Sequence, residues 1–163
     1  DKFWGIYNNM VQRSKHALDE GKKVPRISRG ELYFANCFII ALLQSCNMKR
    51  VGNYAEIKCD VARKEVERAL MVFRKKFPGH PLVSDSRRLN RKYCVPALLY
   101  AEDGRKSDEL EWFALLNPRD IQALLFYIDY IRPYGRHGPE TNALLVNSQG
   151  ESLGYNVSRY VME

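Results

Sequence analysis

The chain has 163 residues, of which 45% are hydrophobic, so it is long enough to bury the core of one domain. Its 26 Lys and Arg residues exceed the 19 Asp and Glu residues, and the net charge of +7 favours an anionic partner such as nucleic acid. No apolar run reaches about 18 residues and no signal peptide is recognisable, so we expect an intracellular protein without a membrane-spanning helix.

The first predicted element is an amphipathic helix over residues 3–20. Gly21 and the basic stretch KKVPR that follows it end this helix. We therefore interpret residues 1–27 as a helix with a basic linker and residues 28–163 as the main domain. The helical stripe that we expect to face the core consists of Phe3, Tyr7, Met10, Val11, Ser14, Ala17 and Leu18.

The most apolar stretch predicts a central helix over residues 28–47. Ser28 is placed to cap its first amides, and Glu31 three residues later completes a capping box. Apolar residues then recur at spacings of three and four, so most of the helix surface is apolar. Lys49 and Arg50 follow directly, which places a cation at the edge of a rigid scaffold.

Beyond Arg50 the sequence VGNYAEI predicts a short helix, and a long helix follows up to Pro78. Asp60 is expected to cap that long helix. The dipeptide Leu82-Val83 in the polar segment after it is typical of a short edge strand. The same segment holds four cations, Arg87, Arg88, Arg91 and Lys92.

Two apolar runs, residues 93–101 and 110–116, predict an antiparallel hairpin with a charged tip. Pro96 in the first run favours an edge strand or a bulge. We expect Trp112 in the second run, like Phe126, Tyr127 and Tyr130 further on, to lie in the core rather than to stack on bases.

Asn117 followed by Pro118 is typical of a helix start, and this helix is predicted to run to Ile131. Residues 143–146 predict a short strand, and residues 154–162 predict a last helix. The sequence therefore predicts a mainly helical α+β domain with a small antiparallel sheet.

Motifs of common enzyme classes are absent from the sequence. We find no Gly-rich phosphate loop, no nucleophile elbow and no His/Glu metal motif. The four cysteines form no CxxC pair, which argues against a zinc site or a disulfide framework. We expect neither a metal nor a cofactor.

The order of these elements and three local patterns resemble the catalytic domain of the tyrosine recombinases, in particular the Crypton-type relatives that include domesticated transposon proteins. The three patterns are LLQSCNMKRVGNYAEIKCDV, YIRP and ALLVNSQGESLGYNVSRYV. The resemblance covers about residues 28–161 and implies a phage-integrase-like fold in a nuclear protein that contacts DNA. It also implies that Arg50 corresponds to the first active-site arginine.

The chain departs from that family in its second catalytic cluster. The family's His-x-x-Arg and nucleophilic tyrosine have no counterpart, because His80 and His137 lack the arginine at the required offset and Tyr160 lies too early. The family's sheet lysine has several candidates, namely Lys92, Lys106 and the Arg87-Arg88 pair. Strand transfer needs several cations around one phosphate together with an activated tyrosine, so we expect no such activity from this chain.

We therefore expect a non-catalytic DNA-binding or DNA-associated domain. Duplex DNA is the expected partner, and phosphate contacts should give a steep salt dependence. We interpret the charges at Lys22, Lys23 and residues 74–76 as solubilising charges or as lying away from the DNA-facing surface. Three alternatives remain: the front part of an active tyrosine recombinase, a protein-interaction or self-association module, and a viral or mobile-element replication protein. The expected DNA contacts are Arg50, with vestigial catalytic character, and Arg87, Arg88, Arg91 and Lys92.

Overall fold

The computed structural model describes residues 2–47, 51–80, 93–102 and 110–160. Within these ranges no helix combines the length and hydrophobicity needed to cross a membrane. The prediction of a mainly helical α+β class with a small antiparallel sheet is confirmed. The elements are α1 (Lys2–Asp19), α2 (Arg29–Cys46), α3 (Cys59–Lys76), β1 (Ala97–Glu102), β2 (Leu110–Leu115) and α4 (Pro118–Phe126), with 3₁₀ helices at Val51–Glu56, Arg132–Tyr134 and Gly154–Tyr160 and a π-helical turn at Tyr127–Ile131.

Helix α2 is the central element, as its apolar surface predicts. Both bonds of the capping box are present: the Glu31 amide donates to Ser28 Oγ over 3.1 Å, and the Ser28 amide donates to Glu31 Oε1 over 3.0 Å. The helix contacts α1, α4, β2 and the last 3₁₀ helix. Its long apolar side chains are almost fully buried; they include Leu32, Phe38, Ile39, Ile40 and Leu43.

Helix α1 packs into the same core as the rest of the described chain. The Tyr7 ring stacks on Phe38 with centroids 4.4 Å apart, and its hydroxyl donates to the Ala123 carbonyl over 2.6 Å. Phe3 and Leu18, at the ends of the predicted stripe, are instead 48% and 44% exposed. The stripe is therefore exposed at Phe3 and Leu18 and buried between them, where α2 and the π-helical turn Tyr127–Ile131 cover it.

Strands β1 and β2 form an antiparallel pair in which Leu99 lies opposite Phe113. Only one face of this pair is buried, and Leu99 and Phe113 lie on it with 0% exposure. Trp112 points to the other face and is 47% exposed, so the expectation that it belongs to the core is wrong. Successive side chains of a strand point to opposite faces of the sheet, and the described elements cover only the face that carries Leu99 and Phe113.

Two local predictions differ from the structure, and a third is not tested by it. Helix α3 begins at Cys59 with Lys58 at its cap position, and Asp60 lies inside its first turn. Residues 143–146 are buried, but they pair only through isolated bridges from Ala143 to Lys58 and from Val146 to Ser152. A strand needs several consecutive residues that pair with a neighbouring strand, and residues 143–146 pair with each neighbouring segment at one residue only. The predicted Leu82-Val83 strand lies outside the described residues.

The last two predicted helices are shorter or tighter than expected. Helix α4 ends at Phe126, and the chain continues as a π-helical turn from Tyr127. The final helix is a 3₁₀ helix as far as Tyr160. Tyr127 is fully buried as predicted, whereas Phe126 and Tyr130 are half-buried.

Asp120, in the first turn of α4, is a buried carboxyl with 9% exposure. Burial raises its pKa to about 6, against the opposing effect of Arg119. A carboxyl with a raised folded-state pKa stabilises the fold below its unfolded pKa, near 3.8, and this contribution is lost as pH rises through about 6. This pKa shift corresponds to a cost of about 3 kcal/mol for ionising the buried carboxyl. A neutral side chain avoids that cost but loses up to about 1 kcal/mol of favourable interaction with the helix dipole.

We therefore expect Asp120→Asn to raise the free energy of unfolding by about 1–2 kcal/mol at pH 7.5 and to change it little at pH 4. Urea denaturation of both proteins at the two pH values measures this difference. Asp19→Asn, on the exposed end of α1, is the control. A gain of equal size at both pH values, or no gain at either, would contradict the expectation.

Candidate nucleic-acid interface

The five residues expected to contact DNA, Arg50, Arg87, Arg88, Arg91 and Lys92, all lie outside the described residues. The candidate interface is therefore described from the residues that flank the two segments containing these cations. Residues 48–50 connect Asn47 to the 3₁₀ helix Val51–Glu56, and residues 81–92 connect His80 to Tyr93.

Asn47, the C-cap of α2, ties the end of that helix to the hairpin. Its Nδ2 donates to the Ala114 carbonyl over 2.9 Å, and its Oδ1 accepts from the Ala114 amide over 2.9 Å. Nδ2 also donates to the Leu43 carbonyl over 2.7 Å, which closes the last turn of the helix. The side chain thus satisfies the outward-facing groups of Ala114 as a neighbouring strand would.

The other end of residues 48–50 is also attached to the hairpin. Tyr54 is fully buried, with its ring 4.9 Å from that of Phe113. Ile57 forms an antiparallel bridge with Ala101. The chain on either side of Arg50 is therefore held on both strands, through Asn47 on β2 and Ile57 on β1.

His80 and Tyr93, the described residues on either side of residues 81–92, contact each other at the carboxyl end of α3. The His80 and Tyr93 rings lie 4.0 Å apart, and Tyr93 packs edge-on against Phe77 with centroids separated by 5.0 Å. Tyr93 is five residues before Leu98, which lies opposite Ala114. An extended chain of five residues spans at most about 17 Å, so Tyr93 lies within that distance of Leu98 on β1.

Three exposed cations, Arg74, Lys75 and Lys76, occupy the last turn of α3. None of them forms an ion pair with another described residue. The sequence interpretation placed Lys75 away from the DNA-facing surface; the structure places Lys75 in the last turn of α3, five residues before His80. Lys22 and Lys23, in the linker after α1, are better remote controls.

Arg132 of the YIRP pattern is bound within the protein. Its Nη2 donates to the carbonyls of Thr141 and Ala143 over 2.6 and 2.8 Å, and its Nε donates to the carbonyls of Ala143 and Leu144 over 3.2 Å. The guanidinium therefore holds residues 141–144 against the end of the π-helical turn. The sequence analysis identified the YIRP pattern, but nothing in the sequence indicated that Arg132 binds these carbonyls.

A polar network at the centre of the fold was also missed by the sequence analysis. Tyr127 donates its hydroxyl proton to Asn36 Oδ1 over 2.6 Å and accepts from the Val146 amide over 3.3 Å. Asn36 Nδ2 donates to the Val146 carbonyl over 2.8 Å. Asn36 and Tyr127 are 91 residues apart in sequence, and a pattern of local spacing cannot pair them.

No group of three or more His, Cys, Asp and Glu side chains in the described part of the chain is placed to hold a metal ion. Comparisons with protein-family models, curated proteins and solved structures found no match to this chain. What supports a function is therefore the chain's own charge, the attachment of the two basic segments and the sequence resemblance.

Proposed function

We propose that this chain is a non-catalytic DNA-binding domain of a nuclear protein, related to the tyrosine-recombinase catalytic domain, that contacts the phosphates of duplex DNA. The observation that supports the proposal is that the described residues flanking both basic segments contact the hairpin or lead into it. Asn47 holds the first segment on Ala114, and Tyr93 leads from the second segment into β1.

Phosphate binding follows from what these two segments contain. They carry six of the chain's 26 Lys and Arg residues within 15 positions, with Asp85 as the single carboxylate. A rigid base reduces the ordering cost that flexible cationic side chains incur when they bind a polyanion. Arg74, Lys75 and Lys76 add exposed positive charge beside the second segment. Such contacts give affinity with little sequence preference.

The proposal excludes strand cleavage by this chain alone, because the second catalytic cluster and the nucleophile of the resembled family have no counterpart in it. If the parent protein continued into a His-x-x-Arg and a tyrosine, the chain would be the front part of an active recombinase. In both cases the phosphate contacts of Arg50 and residues 87–92 would be the same.

We expect the chain to bind fluorescently labelled duplex DNA with a log affinity that falls with log salt at a slope of roughly −4, because four to five phosphates release counterions at about 0.9 each. Anisotropy titrations between about 50 and 200 mM NaCl measure the slope. Two duplexes of unrelated sequence should give similar affinities. Absence of binding at the lowest salt, or a slope near zero, would overturn the proposal.

The outer face of the hairpin favours a second candidate function, a protein-interaction module. Leu98 and Trp112 are 44% and 47% exposed, and Tyr100 packs beside Trp112 with ring centroids 5.3 Å apart. Exposed aromatic and aliphatic side chains on one strand face are typical of surfaces that bind other proteins. Failure of the chain to bind DNA at low salt would favour this second candidate.

A further inference from the structure

A cavity of about 570 Å³ lies on another part of the molecule, between the first turns of α2 and the last 3₁₀ helix. Its volume falls in the range of small-molecule sites, about 300–1,000 Å³. No carboxylate is among the described residues that line it. The side chains that matter for binding are Arg29, Tyr33, Ser148, Gln149, Arg159 and Tyr160.

The walls of this cavity are held by internal hydrogen bonds. Tyr33 donates its hydroxyl proton to the Arg159 carbonyl over 2.7 Å and packs on Tyr160 with ring centroids 4.8 Å apart. Asn147 Oδ1 accepts from the Gln149 and Glu151 amides over 2.9 and 3.1 Å, which orders the turn that presents Ser148 and Gln149. The buried Asn36, already paired with Tyr127 and Val146, also lines the cavity.

Two guanidinium groups give the cavity a positive potential. Arg29 and Arg159 are exposed, and neither forms an ion pair or a side-chain hydrogen bond with another described residue. Burial raises the pKa of the Tyr160 hydroxyl, whereas the charges of Arg29 and Arg159 act to lower it, so both charges reach the same ring. Positive charge without a competing carboxylate favours an anion, and Arg matches the fork geometry of phosphate.

We propose that this cavity binds a nucleoside phosphate, either a free nucleotide or one nucleotide of a nucleic-acid strand. Arg29 and Arg159 contact the phosphate, the half-exposed Tyr33 ring offers a stacking surface for the base, and Ser148 and Gln149 supply hydrogen-bonding groups. This site goes beyond the proposed function, because it shares no residue with Arg50 or residues 87–92.

Isothermal titration calorimetry of the whole chain with AMP, adenosine and inorganic phosphate tests the site. We expect saturable AMP binding that is at least tenfold tighter than binding of adenosine or phosphate alone, because only AMP engages both the arginines and the ring. The double variant Arg29→Ala/Arg159→Ala should weaken AMP binding at least tenfold. Arg26→Ala/Arg136→Ala, which removes two exposed arginines that do not line the cavity, should leave it unchanged.

A single-stranded oligonucleotide distinguishes the two sources of the phosphate. Tighter binding of the oligonucleotide than of AMP, lost in the Arg29/Arg159 double variant, assigns the cavity to a nucleic-acid strand, whereas AMP binding without this effect assigns it to a free nucleotide. The proposal is overturned if AMP and oligonucleotide both fail to bind at millimolar concentration, or if the double variant binds both like the unmodified chain. Charge reversal of residues 87 and 88 should leave AMP binding intact, which separates this site from the proposed function.

Discussion

Replacing Tyr127 with Phe is expected to lower the free energy of unfolding by about 2–3 kcal/mol. The hydroxyl is fully buried, and its removal leaves Asn36 Oδ1 without a donor and the Val146 amide without an acceptor. Each buried polar group that loses its partner costs about 1–3 kcal/mol. Burial also raises the pKa of Tyr127, so the hydroxyl remains a proton donor across the pH range of folding experiments.

Urea denaturation followed by circular dichroism measures this loss, and thermal unfolding should show a fall in melting temperature of roughly 4–12 °C. Tyr130→Phe is the matched control, because Tyr130 is half-buried three residues away and its hydroxyl has no hydrogen bond to another described residue. We expect the control to change stability by less than about 0.5 kcal/mol. Equal effects of the two substitutions would show that the Tyr127 network does not hold the core together.

Reversing the charge of Arg50, Arg87, Arg88, Arg91 and Lys92 together is expected to bring the salt slope of DNA binding from roughly −4 to near zero. Affinity at about 50 mM salt should fall at least a hundredfold, since each lost phosphate contact also becomes a repulsive one. The loss should be similar on duplexes of different sequence, because phosphate contacts carry no sequence information. The same anisotropy titrations measure slope and affinity.

A matched pair of double variants separates a local interface from diffuse electrostatics. Arg87→Glu/Arg88→Glu and Lys22→Glu/Lys23→Glu change the net charge by the same amount, but the linker after α1 lies outside the candidate interface. We expect the first double variant to weaken binding at least tenfold more than the second. Equal losses would mean that net charge alone attracts the DNA, and the proposed interface would be wrong.

The parts of the fold that the sequence predicted well depend on local interactions. The start of α2 follows from the Ser28 and Glu31 capping box, whose two bonds span three residues. The start of α4 follows from Asn117, whose side chain accepts from the Arg119 amide two residues later. Such bonds form between near neighbours wherever the helix forms, so the sequence contains them directly.

The residues of the candidate interface were predicted from their charge and from the family resemblance. The resemblance, and not the spacing of the residues, predicts that Arg50 and the 87–92 cluster lie on one side of the domain, and this stays a prediction because both lie outside the described residues. The tertiary structure shows where the chain beside these segments is attached, through the contacts of Asn47 with Ala114 and of Tyr93 with Phe77 and His80. Nothing in the sequence indicated the cavity beside Arg29 either, because Arg29 and Arg159 are 130 residues apart in the sequence.

The helical class, the hairpin, the capping of α2 and α4 and the excess of positive charge could be predicted from the sequence, because each depends on composition or on neighbours a few residues apart. The outward orientation of Trp112, the binding of Arg132 to backbone carbonyls and the pairing of Asn36 with Tyr127 are seen only in the packed fold. These three features depend on which face of the hairpin is covered and on which groups from distant parts of the sequence come within hydrogen-bond distance. Both depend on how α2, α4 and the hairpin pack together and exclude water from the groups between them.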